Sequence, residues 1–217
     1  MLASPFFLAL SRSLPLCSAF FWLLSTALAS LIWVAIPPLR SAVAVHLLVG
    51  AATALGGRVA FVQLYRHAAR GLKVSPRNAT IMSVAAGLGS GVTAVAVQWA
   101  PLLTPAQGPG TFYAQGCQAM SAYVYASVLA AAWTMLHLIL YVQVVDALLA
   151  RRNAVTYVRL GLVFVQHATL SLLTLGSNCV SVLPITIFLI FVLSALTACM
   201  VFRFRPFHRL SARLPAL

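Results

Sequence analysis

The chain has 217 residues, of which 62% are hydrophobic and 7% are charged, and its mean hydropathy is +1.01. Because no soluble domain of this size needs so much apolar surface, the composition excludes the soluble classes and indicates a membrane protein. The chain contains fourteen Lys and Arg residues but a single acidic residue, Asp146. Because the basic residues lie between long apolar runs, we expect a lipid environment with a positive-inside bias and no nucleic-acid partner.

A helix that crosses a bilayer needs about 20 apolar residues, and six stretches of the chain meet this requirement. A shorter apolar stretch, 2–10, ends at Ser11-Arg12-Ser13 and is a candidate for a seventh span. Its basic residue follows the apolar run, whereas a signal peptide carries its basic residues before that run. We therefore predict an all-α polytopic membrane protein with six to seven transmembrane helices in a single domain, 1–217. The six predicted spans are 14–36, 42–65, 79–99, 119–145, 155–175 and 182–202.

The connections between these spans alternate between basic and uncharged. The positive-inside bias places the basic connections and the C-terminus, including the basic tail 203–217, in the cytoplasm. The uncharged connections then face the lumen or the exterior. Cys117 and Cys179 lie on that side, where a disulfide and two separate thiols are both open. The basic connections are 66–77, 151–152 and the tail, and the uncharged ones are 100–117 and 176–181.

Small residues recur at every fourth position of the third full span, at Ala79, Ser83, Gly87 and Gly91. In a helix these four residues form one flat face. Glycine inside a helix costs about 0.5–1 kcal/mol relative to alanine, so a helix that also contains Gly89 needs a compensating contact. A G-x-x-x-G pair lets another helix approach closely, although small-residue spacings are also common in membrane helices by chance.

Two predicted spans carry polar residues along one side. His137 precedes Asp146 by nine residues and His167 follows Val155 by twelve, so at about 1.5 Å per residue both lie roughly 14–18 Å from the cytoplasmic boundary. The two stripes could face each other across a buried cavity, and ionisable groups at that depth indicate function. The alternative is a pair of neutral histidines that serve packing. The first stripe is Tyr123, Ser127, Thr134, His137 and Tyr141, and the second is His167, Ser171, Thr174 and Asn178.

The residue types limit the chemistry that such a site can perform. Zinc usually needs three or four protein ligands, and the stripes offer two histidines, so we expect no metal and no other cofactor. An aspartyl protease needs two carboxylates that share a proton, whereas this chain has one. A rhomboid-type serine protease is the competing hypothesis, with Ser90 as nucleophile and His137 or His167 as base. Its Gly-x-Ser-Gly motif is incomplete, because residue 88 is leucine.

A series of short motifs along the chain resembles one family, the anterior pharynx-defective scaffold subunit of gamma-secretase. The resemblance covers Ser18 to about Phe204. It implies seven spans, a cytoplasmic C-terminus, no catalytic residues and a scaffold or assembly role beside presenilin, nicastrin and the presenilin-enhancer subunit. It further implies processing of single-span proteins such as Notch-type receptors, in the endoplasmic reticulum, the Golgi and the plasma membrane. The motifs are Ala19-Phe20-Phe21-Trp22-Leu23, Ala29-Ser30, Gly-Leu-Gly-Ser-Gly at 87–91, Gly108-Pro109-Gly110-Thr111, Leu136-His137, Val145-Asp146 and His167.

The chain departs from this family pattern at several positions. Val95 occupies the place of a third glycine in the small-residue series, and the family's acidic and basic residues near one span's end are replaced around Gly57, Arg58 and Phe61. We expect two sets of site residues. The helix-packing and assembly set is Ser83, Gly87, Gly91 and Val95, and the buried polar, partner-binding set is Tyr123, Ser127, Thr134, His137, His167, Ser171 and Thr174.

Overall fold

A computed structural model describes residues 5–71, 79–100, 113–114, 117–149, 154–174, 184–193 and 195–196. Within these ranges the chain is built from long helices, with one short antiparallel ribbon before the fourth long helix. The predicted all-α membrane fold is therefore confirmed. The helices are α1 (Pro5–Ala35), a 3-10 helix (Pro37–Ser41), α2 (Val43–Gly71), α3 (Ala79–Trp99), α4 (Ala122–Leu149), α5 (Ala154–Leu173) and α6 (Pro184–Leu193), and the strands are β1 (Tyr113–Ala114) and β2 (Cys117–Ser121).

Four of the described helices are long and apolar enough to cross a membrane. α5 has 20 residues and is outside this group, and α6 is a shorter apolar helix. The full number of six to seven spans stays a prediction. The basic tail 203–217 and the pairing of Cys117 with Cys179 lie outside the described residues. The four segments are Ser13–Ala35, Val43–Ala68, Ala79–Trp99 and Ala122–Leu149.

The N-terminal helix runs past the end of the first apolar stretch. That stretch, 2–10, ends at Ser11-Arg12-Ser13 in the sequence, and α1 continues through these three residues as one helix of 31 residues. The end of an apolar run predicts where a helix leaves the membrane, not where the helix itself ends. Ser and Arg are both compatible with a continuing helix. Pro15 lies inside α1, and the Ser18 hydroxyl donates to its carbonyl oxygen at 2.9 Å. Residues 5–10 of this stretch therefore belong to α1.

α4 lies at the centre of the described bundle. It packs against α2, α3 and α5, while α1 packs against α2 and α3. The core is formed by side chains such as Leu136, Leu140 and Val144 of α4, with Val62 of α2 and Met82 of α3. The outer faces of α1 and α3 expose large apolar residues, as expected for helices whose surroundings are lipid. These residues include Phe20, Leu24, Leu31 and Val92.

Polar contacts join α2, α4 and α5 at one end of the bundle. The Arg66 guanidinium donates to the carbonyl oxygen of Leu148 at 3.1 Å, next to the C-terminal end of α4. Arg159 forms a 2.8 Å ion pair with Asp146. Because the last carbonyl groups of a helix have no partner within it, a bond from an arginine side chain satisfies one of them. The chain's only acidic side chain is thus paired near the end of α4.

Candidate functional site

The small residues of α3 bring its backbone against that of α4. A Cβ atom built on Gly87 would lie 2.5 Å from Cα of Leu138, and one built on Gly91 would lie 3.0 Å from Cα of Thr134. Carbon atoms prefer separations of about 3.5–4.0 Å, so no larger residue fits at Gly87 without moving the α4 backbone. The four-residue spacing of the two glycines therefore serves packing between two helices of the same chain.

The third glycine of α3 faces a different helix. A Cβ atom on Gly89 would overlap the carbonyl oxygen of Pro15 and would lie 2.6 Å from the Ser18 hydroxyl, both on α1. α3 is therefore held between two backbones, with Gly87 and Gly91 on α4 and Gly89 on α1. Of the remaining predicted packing residues, Ser83 is buried and Val95 is half-buried against the core.

A further close approach joins α1 and α2 at Gly57. A Cβ atom at this position would overlap the Ser25 hydroxyl and would lie 3.1 Å from the Phe21 carbonyl oxygen. The next residue along the chain behaves differently, because a Cβ atom on Gly56 would meet nothing within 4 Å. In the sequence, Gly57 stands out only as a departure from a family pattern. In the structure, the missing side chain at Gly57 allows α1 and α2 to come into contact.

The most unusual feature of the bundle is a buried cluster of Arg58 from α2, His137 from α4 and His167 from α5. Arg58 Nη2 lies 3.3 Å from His137 Nδ1 and Arg58 Nη1 lies 3.3 Å from His167 Nδ1. The two imidazole centroids are 5.9 Å apart. Arg58 is 3% exposed, His137 1% and His167 8%. We call these three residues the Arg58 cluster.

The chemistry of arginine fixes the proton positions in this cluster. A guanidinium group has five N–H donors and no acceptor, so both Nδ1 atoms accept a hydrogen bond from Arg58. Each histidine is then the neutral tautomer with its proton on Nε2. A neutral acceptor satisfies the hydrogen bond of the guanidinium without neutralising its charge.

Aromatic rings surround the Arg58 cluster. The ring of Trp133 lies 6.3 Å from that of His137 and 5.9 Å from that of His167, while Trp22 lies 6.4 Å from His137. The guanidinium carbon is 5.9 Å from the centroid of Tyr141, within the range of a cation–π contact. These rings separate the charge from the lipid-facing surface.

The sequence predicts the two histidines as site residues, whereas Arg58 emerges as their partner only in the structure. A guanidinium within an apolar span must find an acceptor, because no water is available in the bilayer core. The two histidines at similar depth were the ionisable acceptors that the sequence offered. The need of a buried guanidinium for acceptors is therefore the sequence signal that links Arg58 to the two histidines.

Within the described residues the two predicted polar stripes meet at the histidines, and Asn178 of the second stripe lies outside those residues. Ser127 is exposed and donates to the Tyr123 carbonyl oxygen at 2.8 Å. Thr134 and Thr174 are half-buried and donate to carbonyl groups of their own helices, at 3.0 and 2.6 Å. Ser171 is buried. A hydroxyl group that donates to a carbonyl group in the preceding turn of its own helix makes a local hydrogen bond. These hydroxyl groups therefore do not extend the Arg58 cluster.

Ser90, the nucleophile of the competing protease hypothesis, lies on α3 apart from the histidine contacts. Its hydroxyl donates to the Gly87 carbonyl oxygen at 3.2 Å. A serine nucleophile is activated by a base within hydrogen-bond reach, at about 2.6–3.2 Å. Among the described residues, His137 and His167 contact Arg58 and aromatic rings. Because Ser90 is buried on α3 and its hydroxyl bonds to its own helix, we assign it to helix packing.

One family model matches most of the chain. The model is described as Aph-1 protein, and the match covers residues 14–205. It therefore includes the three close-packed glycines of α3 and all members of the Arg58 cluster. No curated protein matches the chain.

Proposed function

The chain belongs to the Aph-1 family and is a component of gamma-secretase, and from this premise we propose that it is the non-catalytic scaffold that assembles and stabilises the protease. The observation that carries the proposal is the family match over residues 14–205. The acid content supports it, because an aspartyl protease needs two carboxylates that share a proton. This chain has one acidic side chain, Asp146, and that side chain is paired with Arg159 at 2.8 Å.

We propose that presenilin, nicastrin and the presenilin-enhancer subunit are the partners of this scaffold. The contacts between α3 and its two neighbours support a rigid frame, since glycine backbones in direct contact leave little room for adjustment. Ser83, Gly87, Gly91 and Val95 then act on assembly indirectly, by fixing the relative positions of the helices. A partner helix docks on the outer surface of the unit formed by α1, α3 and α4.

The polar residues have two roles in this proposal. The buried histidines, His137 and His167, hold α4 and α5 to α2 through Arg58 and so shape the surface that presenilin contacts. Residues nearer the surface bind the partner directly through hydrogen bonds, each worth about 0.6–2 kcal/mol in a membrane. This second group comprises Tyr123, Ser127, Thr134 and Thr174, while the buried Ser171 acts with the histidines in packing α5.

The complex processes single-span membrane proteins such as Notch-type receptors, and it resides in the endoplasmic reticulum, the Golgi and the plasma membrane. The four apolar helices support an integral membrane location. Presenilin supplies both catalytic aspartates.

Co-purification in mild detergent tests the scaffold role. We expect mass spectrometry of the tagged full-length chain to identify presenilin and nicastrin in amounts comparable to the bait. We also expect proteolysis by the purified complex to depend on the presenilin aspartates. Ser90→Ala should leave the proteolytic rate per assembled complex unchanged, as should the matched control Ser83→Ala on the same helix.

The competing protease hypothesis predicts a different pattern. The isolated chain would then cleave a membrane substrate without presenilin, and Ser90→Ala would abolish that cleavage while Ser83→Ala would not. Such a result would overturn the scaffold role.

A further inference from the structure

Arg58 brings a positive charge into the middle of the bundle without an acidic partner. Its two terminal nitrogens donate to neutral histidines, and its Nε is buried with no hydrogen-bond partner among the described residues. An ionised side chain away from water is costly unless it is paired with an opposite charge. The Arg58 cluster therefore has one free donor and one unbalanced charge.

The chain's own side chains cannot supply the missing negative charge. The sequence contains one acidic side chain, Asp146, and this carboxylate is bound to Arg159 at 2.8 Å near the end of α4. The counter-charge must therefore come from another molecule or ion.

The position of Arg58 decides which anions can reach it. Arg58 lies 15 residues from Val43 and 13 from Gly71, the ends of α2, so it is about 20 Å from either end of that helix. A lipid phosphate remains at the bilayer surface, too far away to reach it. A carboxylate of a second chain would have to pass between helices, because all three residues of the cluster are more than nine-tenths buried.

We propose that the Arg58 cluster is a binding site for a halide ion, which is chloride in the cell. A monatomic anion is small enough to lie among buried side chains, and it accepts hydrogen bonds from any direction. Arg58 Nε is the donor left for the ion, because both Nδ1 atoms already accept from the terminal nitrogens of the guanidinium. The halide neutralises the guanidinium that joins α2 to α4 and α5.

Thermal unfolding of the full-length chain in detergent tests this site. We expect sodium chloride or bromide to raise the melting temperature by about 5–10 °C over sodium gluconate at equal ionic strength, once the halide exceeds its Kd about 100-fold. Arg58→Gln should lose this difference, because glutamine retains hydrogen bonding without the charge. Arg66→Gln is the matched control on the same helix and should keep it.

Bromide quenching of tryptophan fluorescence gives a second measurement, which needs no Arg58 variant to fold. Trp133 lies beside both histidines, at 5.9 and 6.3 Å between ring centroids, so a bound bromide should quench it. We expect saturable quenching with the same midpoint as the thermal shift, and a smaller amplitude in Trp133→Phe, in which Trp22 is the remaining tryptophan beside His137, at 6.4 Å between ring centroids.

Three outcomes would overturn the proposal. A melting temperature independent of halide, together with linear quenching, would mean that no halide binds. A halide effect retained in Arg58→Gln would place the ion elsewhere. Equal stabilisation by acetate and chloride would assign the site to a carboxylate and not to a halide.

Discussion

Two interfaces of this bundle hold helices together by different means. α3 meets α4 through glycine, with Gly87 against the Leu138 backbone and Gly91 against that of Thr134. α2 meets α4 and α5 through hydrogen bonds from one buried arginine to two histidines. The first interface depends on the absence of side chains, while the second depends on side chains that would be costly in lipid if they were separated.

The difference explains how each interface can fail. A close backbone contact tolerates no added volume, because the opposing atoms cannot rotate away. A hydrogen-bonded cluster tolerates changes of shape but not the loss of an acceptor, because the remaining charge stays buried. Variants that add volume and variants that remove acceptors should therefore separate the two interfaces.

The largest effect is expected where two backbones touch. Gly87→Leu places a side chain against the α4 backbone, and since overpacking costs about 1–3 kcal/mol even where neighbours can relax, we expect a loss of about 3 kcal/mol in stability. Gly91→Leu should act in the same direction with a smaller loss. Both should lower the yield of folded chain and the amount of presenilin that co-purifies.

Leu88→Ala is the control for these variants, because Leu88 lies between the two glycines in sequence but is exposed. Its unfolding should resemble that of the unmodified chain. Wild-type amounts of assembled complex from both glycine variants would contradict the close-packing argument.

Removal of one acceptor from the Arg58 cluster should have an intermediate effect. His137→Ala and His167→Ala each leave one Arg58 nitrogen without its partner, which we expect to cost about 1–2 kcal/mol. Each should weaken assembly without abolishing it, and the double variant should weaken it further. The measurements are the amount of assembled complex and the proteolytic rate per assembled complex.

A catalytic histidine would behave differently from a structural one. Loss of a general base typically lowers the rate 10²–10⁴-fold while binding stays intact. Normal assembly together with a hundredfold fall in rate per complex would show that the histidines act in catalysis.

A smaller effect is expected at the contact between α1 and α2. Gly57→Ala pushes against the Ser25 hydroxyl, which is held by its 2.7 Å bond to the Phe21 carbonyl oxygen, and we expect a loss of about 1 kcal/mol. The double variant Gly57→Ala/Ser25→Ala should recover part of it, because the overlapping hydroxyl is gone.

The adjacent glycine provides the control for this contact. Gly56→Ala meets open space and should stabilise the helix by up to about 1 kcal/mol through helix propensity. Equal thermal stability of the Gly56 and Gly57 variants would show that the α1–α2 approach is less tight than the structure indicates.

The smallest effect is expected at the ion pair near the end of α4. Both Asp146 and Arg159 are partly exposed, and exposed pairs contribute about 0–1 kcal/mol. Asp146→Asn should therefore lower the melting temperature slightly, and the difference should shrink in high salt. A larger loss that does not respond to salt would mean that Asp146 has a buried role.

The sequence predicts these features unequally, because some are local and others are not. An all-helical membrane fold follows from composition and apolar length, and the spacing of Gly87 and Gly91 indicates a flat face because helix geometry relates neighbouring turns. The spacing does not predict which helix packs against that face. The contacts of Arg58 join residues 79 and 109 positions apart in the chain, so they emerge only once α2, α4 and α5 are packed.

The placement of α3 between two backbones limits how the protein can move. A turn of α3 by one residue position is a rotation of about 100°, which would drive side chains such as Leu88 or Val92 into the space that the glycines leave free. α1, α3 and α4 must then translate and rotate together, as a single rigid body. Any hinge within the described bundle is therefore expected in α2 or α5, where a Cβ atom on Gly50, Gly56 or Gly161 meets nothing within 4 Å.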